Sequence, residues 1–293
     1  MFPASFEYLR AHSVDEALAA LAEHGSEARI LAGGQSLIPA MRYRLARPSV
    51  LVDINPIEEL SYLEERDGAL CIGAGTRDAA LESSLAVSSG YRLIAETATL
   101  VADPVVRQMG TVVGSLCHSD PAGDWGVAAV AGRASVVVRG TKGNRVVPID
   151  DFLIDLFTTA VEEGELALEV RFPTPGARTA GAYEKLERKV GDFATAAAGV
   201  QVTLAADGTV AEASVAIGAV GPKALRVAEA EQLLRGARPS KDAIRAAAQA
   251  AKKASDPIGD GRGSAEFKRE MAGVLVGRAL TRSFENLGVG SLR

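Results

Sequence analysis

Near the start of the chain, Val14, Ala17, Leu18 and Leu21 recur at helical spacing until Gly25 stops the run. Ser13 and Glu16 stand as a capping-box pair at its head. The pattern predicts a helix, then a short strand from Ala28 to Ala32 that ends on Gly33 and Gly34. Apolar positions resume after Gln35 and Ser36 as a short helix through Met41 and Leu45, and Pro48 precedes a second strand, Val50 to Ile54. The opening therefore reads as a small α/β unit.

From Leu60 the texture changes. Asp67-Gly68 predicts a hairpin turn whose second arm, Ala69 to Ile72, runs into Gly73-Ala74-Gly75. Helical stretches follow around Ala79 to Leu85 and Ile94 to Val101, the second interrupted by Asp103-Pro104. Thr111 to Ser115 reads as extended and glycine-bearing. Strands are expected at Ala134 to Val138 and Arg145 to Val147, around a turn at Lys142-Gly143-Asn144, and at Leu166 to Phe172. Strands and helices mix without strict βαβ alternation, which favours an α+β class. Pro173 to Gly176 is the expected domain boundary. Beyond it come strands at Gly181 to Leu186, Ala196 to Ala205 and Ala211 to Ala219, the last two joined at Asp207-Gly208. Helices then follow at Ala228 to Leu234, Ser240 to Ala254 and Ala265 to Glu285.

A length of 293 residues suits about two domains. Alanine supplies 52 of the residues that make the chain 47% hydrophobic, so alanine-rich helices are expected. A net charge of -5, with no basic run longer than a pair, argues against a nucleic-acid partner. No apolar stretch approaches the roughly 18 residues of a spanning helix, so no transmembrane segment is expected. The first residues lack a basic region followed by an apolar one, and the cytoplasm is the expected location. Cys71 and Cys117 cannot supply the four thiolates of an iron–sulfur cluster, and three histidines far apart in sequence predict no metal site.

Two glycine-bearing segments could carry chemistry: Ala32-Gly33-Gly34-Gln35-Ser36 and Thr111-Val112-Val113-Gly114-Ser115. Without side chains in the way, consecutive backbone N–H groups approach a phosphate closely, and Ser or Thr hydroxyls add donors. Either segment alone is also an ordinary turn; together they could cradle a pyrophosphate. Gly73-Ala74-Gly75 lacks the third glycine of a dinucleotide fingerprint, and no glycine-rich loop ends in Gly-Lys-Ser/Thr. Asp120, before Pro121, suits a helix start, whereas Asp124 is open to a functional role. No Ser/His/Asp or Cys/His arrangement supports nucleophilic catalysis.

AGGQSL at Ala32 to Leu37, RQMGTVVGSLCHSDPAGDW at Arg107 to Trp125 and KLERKVGDFA at Lys185 to Ala194 occur in that order along the chain. They resemble the FAD-binding medium subunit of the molybdenum hydroxylases, the family of the carbon monoxide dehydrogenase medium chain and the flavin domain of xanthine dehydrogenase. The resemblance implies a two-subdomain FAD-binding fold of the p-cresol methylhydroxylase type over residues 1–175, with subdomains of about 1–56 and 57–175. A C-terminal domain of three antiparallel strands and helices, 176–293, would follow. It implies FAD as cofactor, its diphosphate against Ala32, Gly33, Gly34, Gln35 and Ser36 and against Thr111, Val113, Gly114 and Ser115. Asp124 would serve the ribityl region, Lys185 would lie near the flavin or its phosphates, and Phe193 would pack on the isoalloxazine. The family usually carries glycine where Val113 stands and often asparagine where Ser115 stands, which predicts a second loop less close to the phosphate. Valine resists positive φ, so Val113 is expected to be extended.

The resemblance also implies a small iron–sulfur subunit and a large molybdopterin subunit as partners, in a dimer of heterotrimers. Electrons would pass from the clusters through FAD to an external acceptor, with no catalytic residue on this chain. A free-standing FAD-dependent oxidoreductase would need a base beside the flavin, for which the sequence offers no candidate. A scaffold that has lost FAD is the non-enzymatic alternative.

Overall fold

The computed structural model describes residues 2–290. A three-stranded parallel sheet opens it, formed by β1 (Glu7–Arg10), β2 (Ala28–Leu31) and β3 (Val50–Asp53) in the order β1-β3-β2. The central strand is buried along its whole length, as a parallel strand covered on both faces should be. α1 (Val14–His24) buries Val14, Ala17 and Leu21, and Ser13 Oγ accepts from Glu16 N at 3.1 Å while Glu16 Oε2 accepts from His12 N at 2.7 Å. β1 was not foreseen, because its residues are mostly exposed and show no apolar face. α2 (Leu37–Arg42) stops short of Leu45; Arg44, at φ 61, turns the chain there.

β4 (Leu63–Arg66) and β5 (Ala69–Gly73) form the hairpin predicted at Asp67-Gly68, whose φ values of 52 and 74 suit a type I′ turn. The chain leaves the sheet for α3 (Asp78–Ser83), α4 (Leu85–Gly90), α5 (Arg92–Leu100), α6 (Pro104–Arg107), α7 (Val112–His118) and α8 (Asp124–Ala131). It returns as β6 (Ser135–Gly140) and β7 (Gly143–Pro148), then passes through α9 (Ile149–Phe152), β8 (Leu153–Asp155) and β9 (Thr158–Thr159) to β10 (Leu166–Pro173). The antiparallel sheet runs β4-β5-β10-β6-β7. Gly140 pairs with Gly143, so the β6–β7 turn is Thr141-Lys142, one residue ahead of the expected one.

Thr111 to Ser115 is not extended. Thr111 is the N-cap of α7, its hydroxyl accepting from Gly114 N at 3.2 Å, and Val112, Val113 and Leu116 are buried. Val113 is therefore helical, with its side chain in the core. Adjacent valines favour a strand by only about half a kcal/mol each, which a cap and two buried side chains outweigh.

β11 (Thr179–Leu186), β12 (Ala196–Leu204) and β13 (Val210–Gly218) pair antiparallel, and the two-residue β14 (Leu225–Arg226) extends these three expected strands at one edge. α10 (Ala228–Leu234), α11 (Lys241–Ala254) and α12 (Ala265–Asn286) match the predicted helices to within a residue. The alternation along β12 decides the packing. Ala196, Ala198, Val200 and Val202 join a core with Leu275, Val276 and Leu280 of α12, whereas Ala197 joins the larger core that holds Trp125 and Phe172. Small residues bring α8 close to this sheet: a Cβ on Gly199 would lie 3.1 Å from Ala131 Cβ, and one on Gly218 would collide with Val127 Cγ2. The abundance of alanine and glycine thus serves the sheet as well as the helices.

Candidate functional site

The first glycine-bearing segment meets the backbone just ahead of the second. A Cβ on Gly33 would collide with the Met109 carbonyl oxygen and stand 3.0 Å from Gly110 Cα, so only glycine permits the approach. Gly34 takes φ 72, and its carbonyl accepts from Ile38 N at 3.0 Å to open α2. Gln35 folds back on its own loop, Nε2 donating to the Gly33 carbonyl at 3.2 Å. Ser36 occupies the N-cap position of α2. Arg77 ties the segments together: Nη1 donates to the Met109 carbonyl at 2.7 Å and Nη2 to Asn55 Oδ1 at 2.6 Å, while Asn55 Nδ2 donates to the Ala32 carbonyl at 2.9 Å. On the second segment Thr111 occupies Gly114 N, and Val112 and Val113 carry first-turn amides that a helix leaves without an intrahelical acceptor. Main-chain donors on two neighbouring segments suit an anionic ligand.

α8 and β11 build a second part. Asp124, the first residue of α8, is buried; Oδ1 accepts from the Tyr183 hydroxyl at 2.7 Å and Oδ2 from Lys185 Nζ at 3.1 Å. Tyr183 and Lys185, two apart on β11, face the same way. Lys185 Nζ also donates to the Leu100 carbonyl at 3.0 Å and lies 3.3 Å from Glu187 Oε2. Lys185 is thus hydrogen-bonded to two oxygens and lies in charge contact with a third. Burial raises the Asp124 carboxyl above its ordinary range, and the charge of Lys185 and the Tyr183 hydrogen bond pull it back. Burial, then Asp124, pushes the Tyr183 hydroxyl well above its usual value. Glu187 Oε2 is buried and accepts no hydrogen bond, which leaves it able to take one from a ligand.

Phe193 lies on the segment between β11 and β12, 48% exposed, with the Arg262 guanidinium 5.9 Å from its ring centre. Asp192 beside it accepts from Arg188 at 2.9 Å and from Arg262 at 3.1 Å, and these bonds hold its carboxyl down at about 2. The structure therefore brings Asp124 and Lys185 together and places Phe193 in a separate cluster. Ser115 lines a small cavity with Ser119, Asp120 and Gly123. Asp120 stabilises the turn ahead of α8, accepting from Ala122 N at 2.9 Å, but the N-cap of that helix is Gly123.

Sequence reasoning missed Arg77 and Asp78. Asp78 is buried at the start of α3, donates its N–H to the Gly110 carbonyl at 2.9 Å and accepts from Trp125 Nε1 at 2.9 Å. An acidic residue at a helix start is so common that no local signal distinguishes this one.

Residues 4–175 match the family described as the FAD binding domain in molybdopterin dehydrogenase, and residues 181–283 match the CO dehydrogenase flavoprotein C-terminal domain. The chain belongs to the FAD-binding subunits of the molybdenum hydroxylases. It is 42% identical over 284 residues to the carbon monoxide dehydrogenase medium chain of Hydrogenophaga pseudoflava, spanning 97% of this chain and 99% of that one. Identity to the 6-hydroxypseudooxynicotine dehydrogenase complex subunit alpha of Paenarthrobacter nicotinovorans is 36% over 283 residues, spanning 97% and 96%. Among solved structures, carbon monoxide dehydrogenase from Hydrogenophaga pseudoflava superimposes with a TM-score of 0.95 at 43% identity, over 97% of this chain and 99% of that one. Quinoline 2-oxidoreductase from Pseudomonas putida 86 gives 0.92 at 28% identity, over 98% and 99%. This flavoprotein is an oxidoreductase subunit whose cofactor is FAD, with the flavin fold and C-terminal domain expected of it. Among the described residues no helix is long and apolar enough to cross a membrane.

Proposed function

We propose that this flavoprotein subunit holds the FAD diphosphate between Ala32–Ser36 and Thr111–Ser115 and passes electrons from iron–sulfur clusters on a small partner subunit to an external acceptor. Substrate would be oxidised at a molybdopterin centre on a large partner subunit. The observation that carries the placement is the backbone contact of Gly33 with Met109 and Gly110, the residues directly ahead of Thr111, which sets the two donor-bearing segments side by side although they are far apart in sequence.

The residues present fit the cofactor. The Gly33 approach is one that a Cβ would fill, the donor set is main-chain amide and hydroxyl, and Asp124 and Glu187 Oε2 supply acceptors for ribityl hydroxyls. Lys185 is directed at Asp124, Leu100 and Glu187, so its part is to hold those acceptors in place. Phe193, half exposed and backed by Arg262, is the apolar ring for the isoalloxazine. FAD supplies the redox chemistry when bound, and the chain binds and orients it. The Val113 side chain is turned into the core, so it does not stand between the segment and a ligand, which favours a FAD-retaining subunit over a scaffold.

The proposed division is a FAD-binding domain of residues 1–175, with subdomains of about 1–56 and 57–175, and a C-terminal domain of 176–293. The break between β10, which ends at Pro173, and β11, which begins at Thr179, supports it. The proposed subunit is cytoplasmic and part of a dimer of heterotrimers. The absorption spectrum of the purified complex tests the placement of the cofactor on this chain. One FAD per chain, released completely by acid precipitation, is expected; a folded complex without flavin would overturn it.

A further inference from the structure

Asp78 connects the two halves of the site through three contacts. Its N–H donates to the Gly110 carbonyl at 2.9 Å, its Oδ2 lies where a Cβ on Gly110 would fall, and its Oδ1 accepts from Trp125 Nε1 at 2.9 Å. Gly110 immediately precedes Thr111, and Trp125 follows Asp124 in α8. One carboxyl therefore sets the second glycine-bearing segment against the helix that carries Asp124. Unlike Asp124, it makes no ion pair among the described residues.

The charges that act on it are few. Arg107 of α6 is held by Glu82 of α3 at 2.8 and 3.0 Å, Asp124 lies on α8, and Arg77, the preceding residue, is engaged with Met109 and Asn55. The neighbouring α5 buries Leu93, Ile94, Thr97 and Ala98. Burial lifts the Asp78 carboxyl to about 7, against the Trp125 hydrogen bond and Arg107, with Asp124 adding to the rise.

We propose that Asp78 is a positioning residue for the FAD diphosphate segment and that FAD binding there is coupled to protonation of its carboxyl. This rests on the assignment of Thr111–Ser115 to the diphosphate. A diphosphate brought to a segment that abuts the carboxyl raises the energy of the ionised form, whereas the protonated form keeps an oxygen to accept from Trp125 and adds no negative charge. By linkage, the same coupling makes FAD bind more tightly when Asp78 is protonated.

The test uses the full chain and FAD. The dissociation constant of the wild type should rise several-fold between about pH 6 and about pH 8, and calorimetry in buffers of different ionisation enthalpy should show proton uptake on binding. Asp78→Asn keeps an acceptor for Trp125, so it should bind FAD with no pH dependence in that window, without proton uptake, and with unchanged emission from Trp125, the chain's one tryptophan. Asp78→Ala should shift that emission and weaken FAD at every pH. A flat wild-type profile without proton uptake overturns the inference, and so does an Asp78→Asn variant that keeps the wild-type pH dependence. Should Asp78→Asn fail to fold, wild-type proton uptake alone decides. Gly33→Ala separates the two levels: undiminished FAD binding there counts against the loop assignment, whereas impaired binding with a flat wild-type profile counts against Asp78 alone.

Discussion

A carboxyl that solvent hardly reaches must find a cation or keep its proton, and the two buried aspartates of the site take different routes. Asp124 has Lys185 at 3.1 Å and the Tyr183 hydroxyl at 2.7 Å. Replacing it by Ala leaves the Lys185 ammonium buried beside one carboxylate fewer, which should lower stability by about 3–5 kcal/mol. If Asp124 accepts from the ribityl hydroxyls, as proposed, the same change should also weaken FAD by about 1–3 kcal/mol. Thermal melts and FAD titration of Asp124→Ala and of the isosteric Asp124→Asn check both effects; lost stability with unaltered FAD affinity would assign Asp124 a purely structural part. Asp78 shows the other route and a definite sign with pH. Its native value of about 7 lies above that of an unfolded chain, so the native state keeps a proton that the unfolded state has released. Its contribution to stability is therefore complete below about pH 4 and is lost as pH rises through about 7. Urea midpoints of the FAD-free chain should fall over that range, and Asp78→Asn should make the fall shallower.

At the scale of elements, α7 shows what decides a conformation when local preference points the other way. Thr111 caps Gly114 N, so Thr111→Val should cost about 1 kcal/mol and Thr111→Ser should restore most of it, read from denaturant midpoints. Gly218 shows the same for packing: Gly218→Val would force α8 off the sheet and should cost roughly 1–3 kcal/mol by the same measurement. Gly68→Ala serves as a control, since nothing lies within 4 Å of its Cβ and only the φ of 74 is strained. These two sites also mark where the sequence could be read and where it could not. The capped helix α1, the Asp67-Gly68 hairpin and helices α10 to α12 carry periodicity, caps or turn residues in their own residues, and all appear as expected. α7 and α8 do not: α7 has two valines and a glycine in one turn, and α8 is apolar all round, with every residue but Gly126 buried. Their helicity depends on burial from several sides, which no short window records. The same holds for the site. The glycine loops, Asp124 and Lys185 stand in recognisable motifs, whereas Arg77 and Asp78 gain their roles only when distant segments meet.

Across the whole molecule, the strand that carries Tyr183 and Lys185 is fixed from both sides. Glu96 of α5 accepts from Tyr183 N at 3.0 Å and from Arg282 of α12, and Arg282 also donates to Glu184 at 2.7 Å and to the Tyr183 carbonyl at 3.1 Å. Leu100, at the end of α5, takes Lys185 itself. Tyr183 and Lys185 are thus anchored to α5 and α12. The aspartates described around the proposed site are each engaged or covered. Asp124 is paired, Asp78 is covered, and Asp192 is engaged by two arginines. This fits the proposed reading, in which the subunit holds FAD and exchanges electrons through it while substrate is oxidised on a partner. The chain should therefore be tested alone, loaded with FAD, and together with the proposed small and large partner subunits, by following flavin reduction anaerobically with candidate substrates. Reduction should appear only in the reconstituted complex, and a chemical reductant should reduce the flavin in both. Reduction by substrate in the isolated chain would show a free-standing oxidase and would require a base that the buried, paired carboxyls of this site do not provide.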